Sequence, residues 1–141
     1  MNKIYNIVIN NEPKKGLVNL NINEISNIAN YSAEVLIFEE LNKIKYEISN
    51  NVLSMLIEKL RPGSGILILD ILDTNSLFSS YINKIIHTKN MSDIISNISS
   101  VYGVIDIKEY VKQFGASLTI LKIEKNTNNH TLRITIQRNT V

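Results

Sequence analysis

The chain has 141 residues, 44% of them hydrophobic, with 15 basic and 13 acidic residues for a net charge of +2. That length suits a single domain over residues 1–141 with a core of useful size, and so small and dispersed a charge gives no indication of nucleic acid. The absence of cysteine excludes disulfides, thiolate metal sites and a cysteine nucleophile.

No apolar run is long enough to cross a bilayer, and the first residues lack the charged-then-apolar pattern of a signal peptide. A cytoplasmic protein with no membrane partner is therefore expected. Asn and Ile are over-used while Ala, Gly and Trp are scarce, a bias that fits AT-rich coding DNA. A phage gene, with its product in the host cytoplasm or the virion, would fit that bias, and a GC-rich source gene would remove the argument.

In chain order, residues 3–9 read as a strand, with Tyr5, Ile7 and Ile9 on one face and Ile4 and Val8 on the other. A polar loop over residues 10–16 ends in Gly16, and residues 17–22 form a shorter, more polar strand. Residues 24–32 have no clear period. Val35, Leu36, Ile37 and Phe38 form a third strand that ends at Glu39 and Glu40. A helix follows, with Ile48, Val52, Met55, Leu56 and Leu60 at spacings of three and four, which places them on one face. Pro62 stops it near Leu60 or Arg61, and Gly63 and Gly65 let the backbone turn with positive φ. The strand over residues 66–72 is apolar on both faces until Asp70, the pattern of a parallel strand covered on both sides.

Beyond Leu72 the period becomes helical. One stripe is Leu77, Phe78, Tyr81, Ile82, Ile85 and Ile86, and a second is Ile94, Ile95, Ile98, Val101 and Tyr102. Both read as core faces that cover the sheet. A third stripe, Ile107, Tyr110, Val111 and Phe114, is closed by Gly115. Residues 118–123 and 132–137 form a hairpin, whose second strand alternates Leu132, Ile134 and Ile136 with polar residues.

A Leu60-Arg61-Pro62-Gly63-Ser64-Gly65 turn between an apolar helix and an apolar strand, with a C-terminal hairpin, resembles the class I S-adenosylmethionine-dependent methyltransferases. Residues 15–22, Lys-Gly-Leu-Val-Asn-Leu-Asn-Ile, are similar to the second strand of some members. The resemblance implies a three-layer α/β/α, Rossmann-like fold with a mainly parallel sheet and a C-terminal antiparallel hairpin. It also implies a glycine-rich cofactor loop after the first strand and an acidic residue ending the second. Here residues 9–13 carry no glycine, no room remains for a helix before the second strand, and the acidic position is Asn21. An amide lacks the charge-assisted bond of a carboxylate.

Asp70 and Asp73 lie at the carboxyl end of a strand, where such folds place ligands, or else cap the next helix. Glu39 and Glu40 are read as a solvated turn, with a pocket role as the alternative, and Lys14 and Lys15 as solvated surface. His87 is expected to face solvent and His130 to lie in the hairpin turn, so no metal site is expected. Ser64 precedes a strand and is no nucleophile elbow.

The leading expectation is a degenerate methyltransferase-like domain, a pseudoenzyme without catalytic residues or cofactor, acting as a binding or structural module. With the N-terminal helix lost, part of one sheet face stays uncovered, and a homo-oligomer or an assembly partner is expected to cover it. The alternative is a minimal active methyltransferase that binds S-adenosylmethionine through Asn10, Asn11, Asn21 and Glu39. A third reading is a different nucleotide or sugar in the same crevice.

Overall fold

A computed structural model describes residues 3–140. Six strands form one sheet: β1 (Ile4–Val8), β2 (Val18–Asn21), β3 (Val35–Phe38), β4 (Ile66–Leu72), β5 (Leu118–Asn126) and β6 (Thr131–Arg138). Their order is β2-β1-β3-β4-β6-β5, with β2, β1, β3 and β4 mutually parallel and β6 antiparallel to both of its neighbours. The helices are α1 (Tyr46–Lys59), α2 (Thr74–Ile82), α3 (Thr88–Ser96) and α4 (Val104–Lys112). The expected α/β, Rossmann-like, mainly parallel architecture with a C-terminal antiparallel hairpin is what the chain forms. No helix among the described residues is long and apolar enough to cross a membrane.

The register sorts the sheet residues into two faces. Ile7, Phe38, Leu69 and Ile134 lie in one row and Leu36, Leu67 and Ile136 in the next. All are buried, in one cluster with Leu53, Leu56 and Ile57 of α1 and Ile107, Tyr110 and Val111 of α4. Ile4, Val8, Val35, Ile37, Ile66 and Ile68 point the other way, are only half-buried and stand outside that cluster. Equal burial of β4 on both faces is thus corrected: its residues alternate between core and half-buried. Apolar content on two faces marks what a strand can bury, while the layers present decide what it does bury.

The segment joining the parallel strands β1 and β2 is residues 9–17, shorter than the roughly dozen residues a helical crossover needs. It closes by a turn at Gly16, whose φ is +79°. This loop lies against the second face, because the Asn19 side chain on β2 bonds both the amide and the carbonyl of Lys14. Asn6 on β1 donates to the same Asn19 oxygen at 2.9 Å and is almost fully buried.

α1 buries Ser49, Leu53, Leu56 and Ile57, so the expected face is displaced. Ile48, Val52 and Met55 instead line an apolar groove of about 750 Å³ with Ile9, Ile22, Ile25 and Ile44. Apolar residues at adjacent positions span more of the helix than one partner can cover, which is why the spacing found Leu56 and Leu60, both buried, together with Ile48 and Met55, which are exposed. The C-terminus of α1 is closed by Arg138, which donates to the carbonyls of Ile57 and Leu60 while stacking on Tyr31. In the turn that follows, only Gly63 has positive φ, at +90°. Gly65 is required for a different reason: a Cβ there would lie 2.7 Å from the Arg61 backbone.

The two stripes after β4 are corrected more strongly. Leu77, Met91 and Tyr102 are buried, but Phe78, Tyr81, Ile82, Ile85, Ile95 and Val101 are exposed. Neither α2 nor α3 contributes a residue to the main core.

Candidate functional site

In an open parallel sheet the ligand crevice lies at the carboxyl ends of the strands. Here four segments meet there: residues 9–11 after β1, Asn21 after β2, Glu39 and Glu40 after β3, and residues 70–73 ending β4. Glu40 is the centre. It is 3% exposed, and its carboxylate accepts from the backbone amides of Ile9 (2.8 Å), Asn10 (3.0 Å) and Asn11 (3.0 Å). Lys43 completes the set at 3.0 Å. Burial alone would push the Glu40 carboxyl up in pKa, but the three amides and Lys43 together outweigh it and hold the group below its ordinary value. Three successive amides aimed at one point make an anion-binding nest, and the chain fills that nest with its own carboxylate.

Glu39 faces the opposite side of the sheet. It pairs with Arg133 of β6 and, at 3.0 Å, with Lys14 of the loop. Arg133 also bonds Asp70 through Nε at 2.8 Å and through Nη2 at 3.1 Å. The Asp70 hydrogen bonds come first, and with Glu39 they raise the Arg133 pKa above its ordinary value although burial opposes them. The network Lys14–Glu39–Arg133–Asp70 therefore ties the β1–β2 loop across β3 and β4 to the hairpin. A solvated turn at Glu39 and Glu40 is corrected, whereas Lys14 is exposed as expected while its ammonium group pairs with Glu39. The low-dielectric ends of three strands leave each of these carboxylates in need of a cation or amides.

Asp73, not Asp70, caps the following helix, accepting from the Ser76 amide at 3.2 Å. Asn21 is a cap as well. Its side chain accepts from the Asn23 amide while Glu24 returns a bond to the Asn21 amide, opening a 3-10 helix over Ile22–Asn27. The Asn-x-x-Glu spacing is a capping box that bridges the end of the expected second strand and the segment that showed no period. The structure thus gathers Asn10 and Asn11 on Glu40 through their backbones, commits Asn21 to a helix start, and turns Glu39 to the other face. His87 is exposed at the start of α3, and His130, in the hairpin turn, meets the Ser76 hydroxyl at 3.0 Å.

Asn42 escaped the sequence reading. Its side chain accepts from the Leu72 amide at 2.8 Å and donates to the Ser100 carbonyl at 3.0 Å. Its carbonyl receives the amides of Ser99 and Ser100. Residues 94–99 are held in this way beside the loop after β1, flanking an open polar depression of about 610 Å³ lined by Ile9, Asn10, Lys43, Ile94 and Asn97. An isolated Asn in a sequence rich in Asn carries no signal of such a role.

A mainly parallel sheet with its crevice at the strand ends and one antiparallel strand inside a C-terminal hairpin defines a Rossmann-like α/β domain. No protein-family model matches the sequence, and no curated protein matches it. Solved structures do. The chain is similar to a SAM-dependent methyltransferase from Archaeoglobus fulgidus, with TM-score 0.63 and 11% identity over 97% of this chain and 86% of that one. It is similar to an O-methyltransferase family protein from Burkholderia thailandensis (TM-score 0.57, 14% identity, 88% of this chain and 36% of that one). The magnesium protoporphyrin IX methyltransferase of Synechocystis, solved with SAH bound, gives TM-score 0.58 at 11% identity, covering 86% of this chain and 51% of the other. The fold is therefore that of the class I S-adenosylmethionine-dependent methyltransferases, and the chain spans about a third to a half of two of these three relatives.

Proposed function

We propose that this chain is a methyltransferase-like domain without catalytic activity, serving as a binding or structural module. The observation that carries the reading is Glu40. Its carboxylate occupies the amides of residues 9–11, at the point where a loop after the first strand would meet an anionic or polar ligand. An incoming carboxylate would have to displace a buried, charge-assisted acceptor and leave it unpaired, at a cost of about 1.5–3 kcal/mol or more. Asn21 and Glu39 support the same reading, since each is already engaged in a cap or an ion pair. A minimal S-adenosylmethionine-dependent enzyme using Asn10, Asn11, Asn21 and Glu39 would first have to release the Asn21 cap and the Glu39–Arg133 pair.

Titration with S-adenosylhomocysteine, followed through the backbone amide resonances of Asn10 and Asn11, tests this directly. The reading expects those resonances to stay in place at millimolar ligand. Saturable movement at micromolar ligand would sink it in favour of the enzyme.

A further inference from the structure

Away from the strand ends, α1 and α4 flank a pocket of about 130 Å³. Three tyrosines line it: Tyr46 at the start of α1, Tyr102 just before α4, and Tyr110 on α4. Tyr46 stacks on Tyr102, with ring centroids 5.9 Å apart. The Tyr110 hydroxyl is satisfied, at 2.8 Å from the Ser54 hydroxyl. The Tyr102 hydroxyl is not. That residue is 4% exposed, and its oxygen is buried without a hydrogen-bond partner among the described residues. A buried hydroxyl in that state costs free energy until something in the cavity bonds it.

The rest of the lining selects the occupant. Asp106 and Glu109 bring two carboxylates, and Asn50 and Gln113 bring amide oxygens, while no Lys, Arg or His takes part. The Gly103 amide holds one Asp106 oxygen at 2.7 Å, and Glu109 forms no ion pair among the described residues. An anion would meet two carboxylates there, so the charge that fits is positive. A metal ion does not fit, since no group of three His, Asp or Glu side chains among the described residues could hold one. Aromatic faces attract an organic ammonium instead, and Leu53 and Ile107 offer its carbon stem an apolar wall. So small a volume admits an ammonium head with a short stem, and not a nucleotide.

We propose that this pocket binds a primary ammonium group on an alkyl stem, with the Tyr102 oxygen and the Glu109 carboxylate as acceptors. A free alkylamine and a lysine side chain of another protein share that chemistry. The pocket shares no residue with the strand-end crevice, so the proposal goes beyond the reading of Glu40 and stands or falls apart from it.

Backbone amide resonances of Tyr102, Asp106 and Gln113 in the full chain, followed during titration with n-butylammonium chloride, test this. The expected result is saturable movement at millimolar ligand, with none for sodium butyrate at equal concentration. Tyr102→Phe deletes only the orphaned hydroxyl, so the fold persists while affinity should fall by about tenfold. Glu109→Gln, at an exposed position, should weaken binding by about threefold or more. Nα-acetyl-lysine amide identifies the source: tighter binding than n-butylammonium assigns the pocket to a protein lysine, weaker binding to a free amine. An absence of saturable movement would mean that water alone fills the pocket, and would overturn the proposal. So would equal movement with butyrate, or a Tyr102→Phe variant that binds as tightly as the wild type.

Discussion

At the scale of single residues, Glu40 is the group on which stability and the candidate site both depend. Its folded pKa lies below the ordinary carboxyl value of 4.5, so its contribution is fully present above that value and is lost as pH falls through the lowered folded pKa. Glu40→Gln should cost about 1.5–3 kcal/mol at neutral pH, because three amides and Lys43 lose their charged acceptor. Urea melts should show wild type and variant converging as the solution is acidified. A gap that stays constant with pH would contradict the assignment. Arg133→Met gives a second test. It leaves Asp70 without its cation and Glu39 with Lys14 alone, and the half-exposed site limits the loss to about 1–2 kcal/mol. Urea melts at neutral pH should show that loss, and an unchanged midpoint would contradict the pairing. Little of this was legible beforehand, because a carboxylate after a strand looks the same in sequence whether it meets solvent, a cation or three amides.

At the scale of elements, boundaries followed local chemistry closely. Pro62 and the two glycines end α1, and Asp73 starts α2, as their residue types require. Asp73→Ala should cost about 1 kcal/mol through the lost cap, read from the thermal unfolding midpoint. Gly65→Ala should cost about 1–3 kcal/mol, since its Cβ would collide with the Arg61 backbone rather than with a side chain that can move. If instead positive φ were the reason for glycine there, Gly65→Asn would be tolerated, which the account does not expect. Faces were harder to read than ends. The arc of α1 chosen by spacing contained Ile48 and Met55, whereas the core took Leu53 and Ile57. Periodicity says that a helix has an apolar side, and only the neighbouring elements say which part of it is buried.

At the scale of the whole molecule, six strands, their class and the C-terminal hairpin were legible, because strand period and turn residues act locally. The mutual position of the crevice residues was not, since β1 and β3 meet only through long-range pairing. The folded chain combines a methyltransferase-like sheet with a loop in place of the helix after β1, one sheet face outside the core, and a helix with an unpartnered apolar stripe. The central claim, that Glu40 has taken the place of a ligand at the amides of residues 9–11, is tested most directly by calorimetry. S-adenosylmethionine and S-adenosylhomocysteine would be titrated into the purified wild-type chain. The account predicts no heat of binding for either; saturable micromolar binding would contradict it.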